Sequence, residues 1–316
     1  MRNDLIEQAL PYIAEGKSWR KIAAILGVPR STLSDNLRAY YKGNTEEMEK
    51  AGARVLCFDL ETSPAIAAAF GRFKQFLGQD NIISEGGVIL CAAYKWLGEE
   101  GEPKLLHVTG QSLMDIDDLP VVVRLWELFE EADAVVAHNA KGFDIGMLQA
   151  RVLRHGLPPL PHVKVLDTLI MAKKNFRLPN NKLDSICAFL DIERKADAGG
   201  VLTWLQYMMG DKEAVNHMHT YCLQDVNILE KVYYRLRAFG HAGSEFNAAH
   251  YHEDVHATVR CHVCGAADVH PTGRSTFTAI SEFAEMRCGS CQAVSRARKV
   301  LNGKEKRSTI VVQPKQ

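Results

Sequence analysis

The segment Cys57-Phe58-Asp59-Leu60-Glu61-Thr62-Ser63-Pro64 constrains this chain most: a short apolar run, Val55 to Phe58, leads into two carboxylates one residue apart. Read as a strand, its alternation puts Asp59 and Glu61 on the same face, at one end of a buried sheet. Two carboxylates side by side repel each other, so ionising both is costly unless a cation offsets the charge. Hard oxygen donors of this kind suit magnesium or manganese rather than zinc. A strand ending in a polar turn can also carry an isolated D-x-E, so the meaning of the pair depends on the rest of the chain.

A chain of 316 residues is long enough for one sizeable core plus smaller modules. Its 47% hydrophobic and 24% charged content is that of an ordinary soluble globular protein. No apolar stretch approaches the roughly 18 residues needed to span a bilayer. No apolar signal region follows Met1-Arg2-Asn3-Asp4, which predicts a cytoplasmic protein with no membrane partner. Lys plus Arg number 38, as do Asp plus Glu, so only the local distribution of charge can argue for nucleic acid. The cysteines fall into two classes. Cys57, Cys91, Cys187 and Cys222 sit in apolar segments and read as small core residues in a reducing compartment, whereas Cys261, Cys264, Cys288 and Cys291 form two C-x-x-C pairs.

Residues 1–43 read as a small helical module. One helix is expected over Leu5 to Ala14. Ser18 is placed to cap a second, Trp19 to Leu26, with Ile22, Ala23 and Ile25 facing inward. Gly27-Val28-Pro29 breaks it, and Arg30 to Tyr40 carries Leu33 and Leu37 at helical spacing. The string from Ser18 to Ser34 resembles the helix-turn-helix of resolvases and many bacterial and phage DNA-binding proteins, whose second helix lies in the major groove. That resemblance implies DNA contacts by Arg30, Ser31, Thr32, Ser34 and Arg38; a three-helix module for protein contact is the alternative. Residues 44–53 read as a polar linker.

The central region, residues 54–239, begins with the strand described above. Gly87 to Trp96 and Lys104 to Thr109 read as further strands, and Leu119 to Ala132 as a helix. Ala134 to Asn139 reads as a buried strand, Phe143 to His155 as a helix and Val163 to Leu169 as a strand. Helices follow at Lys182 to Leu190, Val201 to Met208 and Lys212 to Phe239. A strand meander followed by alternating strands and helices predicts an α/β domain, a mixed sheet flanked by helices as in RNase H-like folds. Two more stretches belong with Asp59 and Glu61. His138-Asn139-Ala140-Lys141-Gly142-Phe143-Asp144 delivers Asp144 near a helix N-terminus, where the dipole favours a carboxylate. Tyr221 and Asp225 lie four apart on one helix face.

Taken together, these segments resemble the DnaQ-like (DEDD) superfamily of 3'–5' exonucleases in its tyrosine subtype, in the form encoded by phages and prophages. The first motif is matched at Asp59 and Glu61, the second at Asp144 and the third at Tyr221 and Asp225. Cys222 stands where the histidine subtype would want its histidine; His217 and His219 are out of register and read as surface or core residues. Val165-Leu166-Asp167-Thr168-Leu169 and Asn181-Lys182-Leu183-Asp184-Ser185 extend the match. The resemblance implies two Mg²⁺ or Mn²⁺ ions, with Asp59 touching both, Glu61 and Asp225 on one and Asp144 on the other. It also implies that Tyr221 orients the attacking water. Asn139 is expected to contact the terminal nucleotide or to satisfy the core. Asp167 and Asp184 read as caps or supporting groups.

Residues 240–255 read as a linker. In residues 256–300 the two C-x-x-C pairs bracket a β-prone stretch, Ser275 to Met286, a pattern that suggests a zinc ribbon closed by four thiolates. A basic tail, 301–316, follows with Lys304, Lys306 and Arg307, adding to Arg296, Arg298 and Lys299. The whole reads as a metal-dependent 3'–5' exonuclease acting on the 3' end of single-stranded or frayed DNA in replication, proofreading or repair, possible partners being DNA and a separate DNA polymerase. RNA as substrate, or a catalytically idle nucleic-acid-binding regulator, are the alternatives.

Overall fold

Strand β1 (Val55–Thr62) is apolar on both faces from Val55 to Phe58, which requires cover on each side and so a central place in a sheet. In the computed structural model, which describes residues 5, 8–9, 12, 19–29, 32–33, 52–71, 76–108, 113, 116–194, 198–241, 245–252 and 258–313, it holds that place. On one side it pairs antiparallel with β4 (Ile89–Trp96), itself antiparallel to β5 (Lys104–His107). On the other it runs parallel to β6 (Ala134–Ala137), which is parallel to β7 (Lys164–Asp167). The sheet order is β5-β4-β1-β6-β7. The short hairpin β2 (Ile66–Ala67) and β3 (Ile82–Ser84) forms a separate ladder that hydrophobic alternation does not announce.

Alternation along β1 sorts its side chains into two cores. Leu56, Phe58 and Leu60 join the core made with α2 (Leu119–Glu131) and α3 (Asp144–Arg154), where Phe58 meets Phe129 edge-on at 5.3 Å. Val55 and Cys57 face the other way, into a core with α4 (Thr168–Asn175), α5 (Leu183–Phe189) and α7 (Lys212–Leu236). Helix α6 (Val201–Met208) packs on the start of α7 through Tyr207 and Met208. The result is a mixed α/β architecture with helices on both faces of a mixed sheet, an RNase H-like fold.

Three expectations change. The strand foreseen over Val163–Leu169 stops at Asp167, whose carboxylate caps α4 by accepting from the Leu169 N–H at 2.9 Å. In the N-terminal helix α1 (Trp19–Ile25), Ile22 and Ala23 are buried as expected, but Ile25 is 51% exposed. Leu26, one turn on from Ile22, packs against the core instead. Residues 245–252, expected as linker, are folded against the body: Phe246 and Ala248 are buried, and His241 stacks in parallel with Tyr233. The Ala248 N–H donates to the His262 carbonyl at 2.8 Å, tying the C-terminal region to the body.

One buried charge, Asp118, carries no signal in the sequence pattern. Fully buried before α2, its carboxylate accepts from the Ile89 N–H (2.8 Å) and from Arg151 Nε and Nη2 (2.7 Å each), with His155 Nε2 at 2.6 Å. It ties β4 and the start of α2 to the C-terminal half of α3. Asp118→Ala strands these donors without their acceptor, and chemical denaturation should show a loss of about 3–5 kcal/mol; a loss below about 1 kcal/mol contradicts the anchor.

Burial of His241, with the nearby charges of His262 and Arg237, lowers its pKa to about 4. The unfolded chain therefore takes up a proton from pH 6.5 downward that the folded chain refuses until about pH 4. Stability falls as pH drops through that window. His241→Gln should flatten that part of the stability profile; an unchanged profile would refute the assignment.

Candidate metal and nucleic-acid site

Continuing the parity of β1, Asp59 and Glu61 follow Val55 and Cys57 on the face covered by α7. That helix buries a stripe comprising Met218, Tyr221, Cys222, Asp225, Val226 and Leu229. Asp225 lies within this stripe, only 1% exposed. Two segments more than 160 residues apart thus meet: one ligand oxygen from each of Asp59, Glu61 and Asp225 lies within 4.8 Å of the others. Like charges this close, one buried, call for a cation, and an all-oxygen set suits magnesium or manganese.

The end of β1 is held by local backbone features. A register shift interrupts the β1–β4 ladder between Glu61 and Thr62, as bulges next to functional sites do. Ser63 then locks the chain. Its N–H donates to the Val88 carbonyl at 2.8 Å, and its Oγ accepts from the Val88 N–H at 3.0 Å. Gly86 has φ +70°, and a Cβ there would lie 2.6 Å from the Pro64 backbone, so only glycine fits this turn.

Asp144 follows the C-terminal end of β6, the parallel neighbour of β1. Parallel to β1, β6 ends in a turn where Asn139 adopts φ 70° and its N–H donates to Asp167 Oδ1 at 3.0 Å. The Asn139 carbonyl accepts from Gly142 and Phe143. This winding starts α3 at Asp144, which is 2% exposed in the helix's first turn. Asp144 stands outside the trio of Asp59, Glu61 and Asp225. The arrangement offers three ligands to one ion, with a fourth carboxylate at the start of the helix that follows β6, the parallel neighbour of β1.

Tyr221 is buried one turn before Asp225. Cys222 is fully buried; its hydrogen bond to Cys91 and its burial push its thiol well up, with Asp59 and Glu61 adding to the rise. It sits beneath the carboxylates as a neutral core residue. His217 is exposed, and His219 packs between His107 and Tyr207 with its pKa lowered to about 4 by burial and by His107. Asp167 is a cap, and Asp184 takes the fork of Arg194. A second acidic group, Asp117, Asp118 and His155, has its buried member already matched by Arg151 and calls for no ion.

The four cysteines of the C-terminal region gather into one cluster, with Cys261 and Cys291 sulfurs 3.6 Å apart and those of Cys264 and Cys288 3.7 Å apart. An ideal tetrahedron with Zn–S bonds of about 2.3 Å has edges of about 3.8 Å, so the set fits zinc. Two matched turns present them. Gly265 and Gln292, each the residue after a C-x-x-C pair, both have positive φ, and the Cys261 and Cys288 carbonyls accept from Gly265 and Gln292. Strands β8 (Val269–Phe277), β9 (Glu282–Cys288) and β10 (Val294–Val300) form an antiparallel sheet beside them, and α8 (Lys304–Ser308) begins the basic tail. Of the residues expected to face DNA in the N-terminal module, Thr32 is exposed and helical; Arg30, Ser31, Ser34 and Arg38 lie outside the described residues.

Residues 88–237 match the family described as the RNase_H superfamily. They form an RNase H-like domain. The chain is 26% identical over 202 residues to the DNA polymerase III PolC-type of Ureaplasma parvum, covering 60% of this chain and 13% of that protein. It is 26% identical over 170 residues to the PolC-type enzyme of Streptococcus sanguinis, covering 52% and 11% respectively. It thus spans roughly an eighth of the length of these relatives. A family B DNA polymerase from the archaeon Pyrobaculum calidifontis superposes with a TM-score of 0.45 at 16% identity, covering 59% of this chain and 25% of that one. No helix among the described residues is long and apolar enough to cross a membrane.

Asp225→Asn keeps the side chain's shape but removes one of three converging charges. In wild type, metal at about a hundred times its dissociation constant should add about 2.7 kcal/mol of stability. The variant should be at least as stable as wild type without metal and should lose that gain, as read by thermal unfolding with and without Mn²⁺. An equal metal-dependent gain in both proteins contradicts a cation site at the trio.

Proposed function

We propose that the chain is a metal-dependent 3'–5' exonuclease, a phosphodiester hydrolase of the DEDD tyrosine subtype, acting on the end of single-stranded or frayed DNA. The observation that carries the reading is the meeting of Asp59 and Glu61, at the end of central strand β1, with Asp225 of α7. The RNase_H superfamily match and the relatedness to PolC-type DNA polymerase III support it. Asp59, Glu61 and Asp225 would hold one divalent ion, and Asp59 with Asp144 a second. Bound there, the pair would acidify a water and offset charge on the scissile phosphate.

The side chains divide the remaining work. Tyr221, one turn from Asp225 on α7, would hold and orient the attacking water, since an ordinary phenol is a poor proton acceptor at neutral pH. Asn139, exposed at the turn that leads to Asp144, would hydrogen-bond the terminal nucleotide. Burial of Asp144 and Asp225 holds both carboxylates in place before substrate arrives, so little reorganisation is needed at the reacting phosphate.

The flanking regions would grip nucleic acid. We read residues 1–43 as a helix-turn-helix module, 54–239 as the exonuclease domain and 256–300 as a zinc ribbon, with a linker at 44–53, a packed connection through 245–252 and a basic tail at 301–316. A structural Zn²⁺ on Cys261, Cys264, Cys288 and Cys291 would supply folding energy that so small a module lacks. The PolC-type names of the relatives favour a role in editing DNA synthesis, with a DNA polymerase as partner.

The test uses 5'-labelled single-stranded DNA and RNA with Mg²⁺, Mn²⁺ or EDTA. Wild type should give a metal-dependent ladder shortening from the 3' end, and Asp59→Ala should be slower by about 10²–10³-fold or more. Binding without cleavage would instead mark a nucleic-acid-binding regulator, and a ladder on RNA alone would reassign the substrate.

A further inference from the structure

The chain has a formal net charge of zero, yet residues 258–307 hold nine Lys and Arg against four Asp and Glu. The register of the three-stranded sheet sorts this excess. Alternation along β9 puts Phe283, Glu285 and Arg287 on one face and Glu282, Ala284 and Met286 on the other. Arg287 stands opposite His270 of β8 and Val294 of β10, and Arg296 stands opposite Glu285. The Arg296 guanidinium lies over the Phe283 ring, 4.5 Å from its centroid, which places it on the same face. Arg287 and Arg296 are exposed, and neither is in an ion pair among the described residues. The acids beside them are occupied: Glu285 accepts from the Thr272 hydroxyl at 2.9 Å, and Asp268 pairs with His270.

The basic tail is fastened through Glu282, whose side chain belongs to the other face. The buried Asn302 side chain accepts from the Glu282 N–H at 2.8 Å and donates to the Ile280 carbonyl at 2.9 Å. The Glu282 carboxylate accepts from Ser275 Oγ at 2.8 Å and takes Lys306 at 3.8 Å. The sheet is in turn fixed to the body. Besides the Ala248–His262 bond, the His252 ring lies against both Gly265, in the first cysteine turn, and Gly52. Gly52 is seven residues before Asp59, about 23 Å at the rise of a strand. The contact therefore lies near the end of β1 remote from the carboxylates.

We propose that the Arg287–Arg296 face of this sheet binds the phosphates of single-stranded DNA at a distance from the end held by the carboxylates. The proposal deepens the exonuclease reading and rests on it for that distance, but the binding itself does not depend on cleavage. Arginines without an acidic partner gain most from phosphate, because each contact releases a condensed counterion and the planar fork matches two phosphate oxygens. Arg296 laid on the Phe283 ring adds a flat stack on which an unpaired base can lie, whatever its identity. The gap of about 23 Å corresponds to about seven nucleotides at 3.4 Å each. A strand shorter than that cannot touch both places at once, so the face acts as a distal hold on longer strands.

The experiment measures anisotropy of fluorescein-labelled oligothymidylate of twenty nucleotides with the full chain, without chelator and without added Mg²⁺ or Mn²⁺. Wild type is compared with Arg287→Glu plus Arg296→Glu, and with the charge-matched control Lys304→Glu plus Lys306→Glu on the tail. Thermal unfolding and zinc content check that each variant is folded. Reversal on the face should weaken binding about tenfold and make the salt dependence shallower by about 1.4 in log–log slope, the change for two phosphate contacts on a single strand. The tail control should stay within about threefold of wild type. In hydrolysis with Mg²⁺ the face variant should raise KM for the twenty-nucleotide substrate at unchanged kcat and leave KM for a five-nucleotide substrate unchanged. Equal loss in both variants overturns the face, as does no loss in either or failure of wild type to bind. A raised KM on the short substrate overturns the distal placement. Tighter binding of a twenty-base-pair duplex with the same arginine dependence overturns the single-strand assignment. A wild type that binds with the expected dependence but never cleaves refutes the nuclease reading and leaves the face as a DNA-binding surface.

Discussion

The arrangement depends on the two-residue alternation of one central strand. Even-numbered residues of β1 from Leu56 to Leu60 fill the core against α2 and α3; odd-numbered ones fill the core against α7. Because both cores are apolar, a one-residue slip would bury Asp59 and Glu61 among aliphatic side chains and is strongly disfavoured. The same register that satisfies the cores therefore aims both carboxylates at α7. There the buried stripe of the helix supplies Asp225 in place of another aliphatic residue. Packing of hydrocarbon positions the charge, and the charge in turn creates the requirement for a cation.

Support for the site comes from residues that do no chemistry. Asp118 joins Arg151 and His155 on the far half of the helix whose first residue is Asp144. Asp167 holds the Asn139 backbone and caps α4 with one oxygen. Ser63 and Gly86 close the turn after Glu61. Each removes a freedom of the backbone on the edge that carries the carboxylates, which is how a site keeps its geometry before substrate binds. Cys222 makes a further point. At full burial its place beside Asp59 and Glu61 is structural, which leaves Tyr221 as the α7 side chain one turn from Asp225.

Much of this was legible in the sequence because it is carried by local pattern. The β1 alternation, the helical spacing of α2, α3 and α7, and the paired C-x-x-C turns are short-range signals with strong periods. What escaped depends on contacts between distant segments. Asp118 reads as one acid in the polar run Asp115 to Asp118; its partners lie 29 to 37 residues away. Ile25 fits the apolar pattern of α1, yet Leu26 takes its place in the core. The 245–252 stretch has a linker's composition, and its burial comes with Phe246 packed edge-on against His241, which itself stacks on Tyr233. The pattern over Val163–Leu169 overstates the strand because an Asp-Thr pair can continue a strand or cap a helix, and Asp167 caps α4.

The most direct test of the central claim is diffraction from crystals soaked in Mn²⁺, with the ions located by their anomalous scattering. A manganese bound by Asp59, Glu61 and Asp225 is expected, and a second near Asp144, roughly 3.5–4 Å from the first. Anomalous density absent from those carboxylates at saturating Mn²⁺ would contradict it.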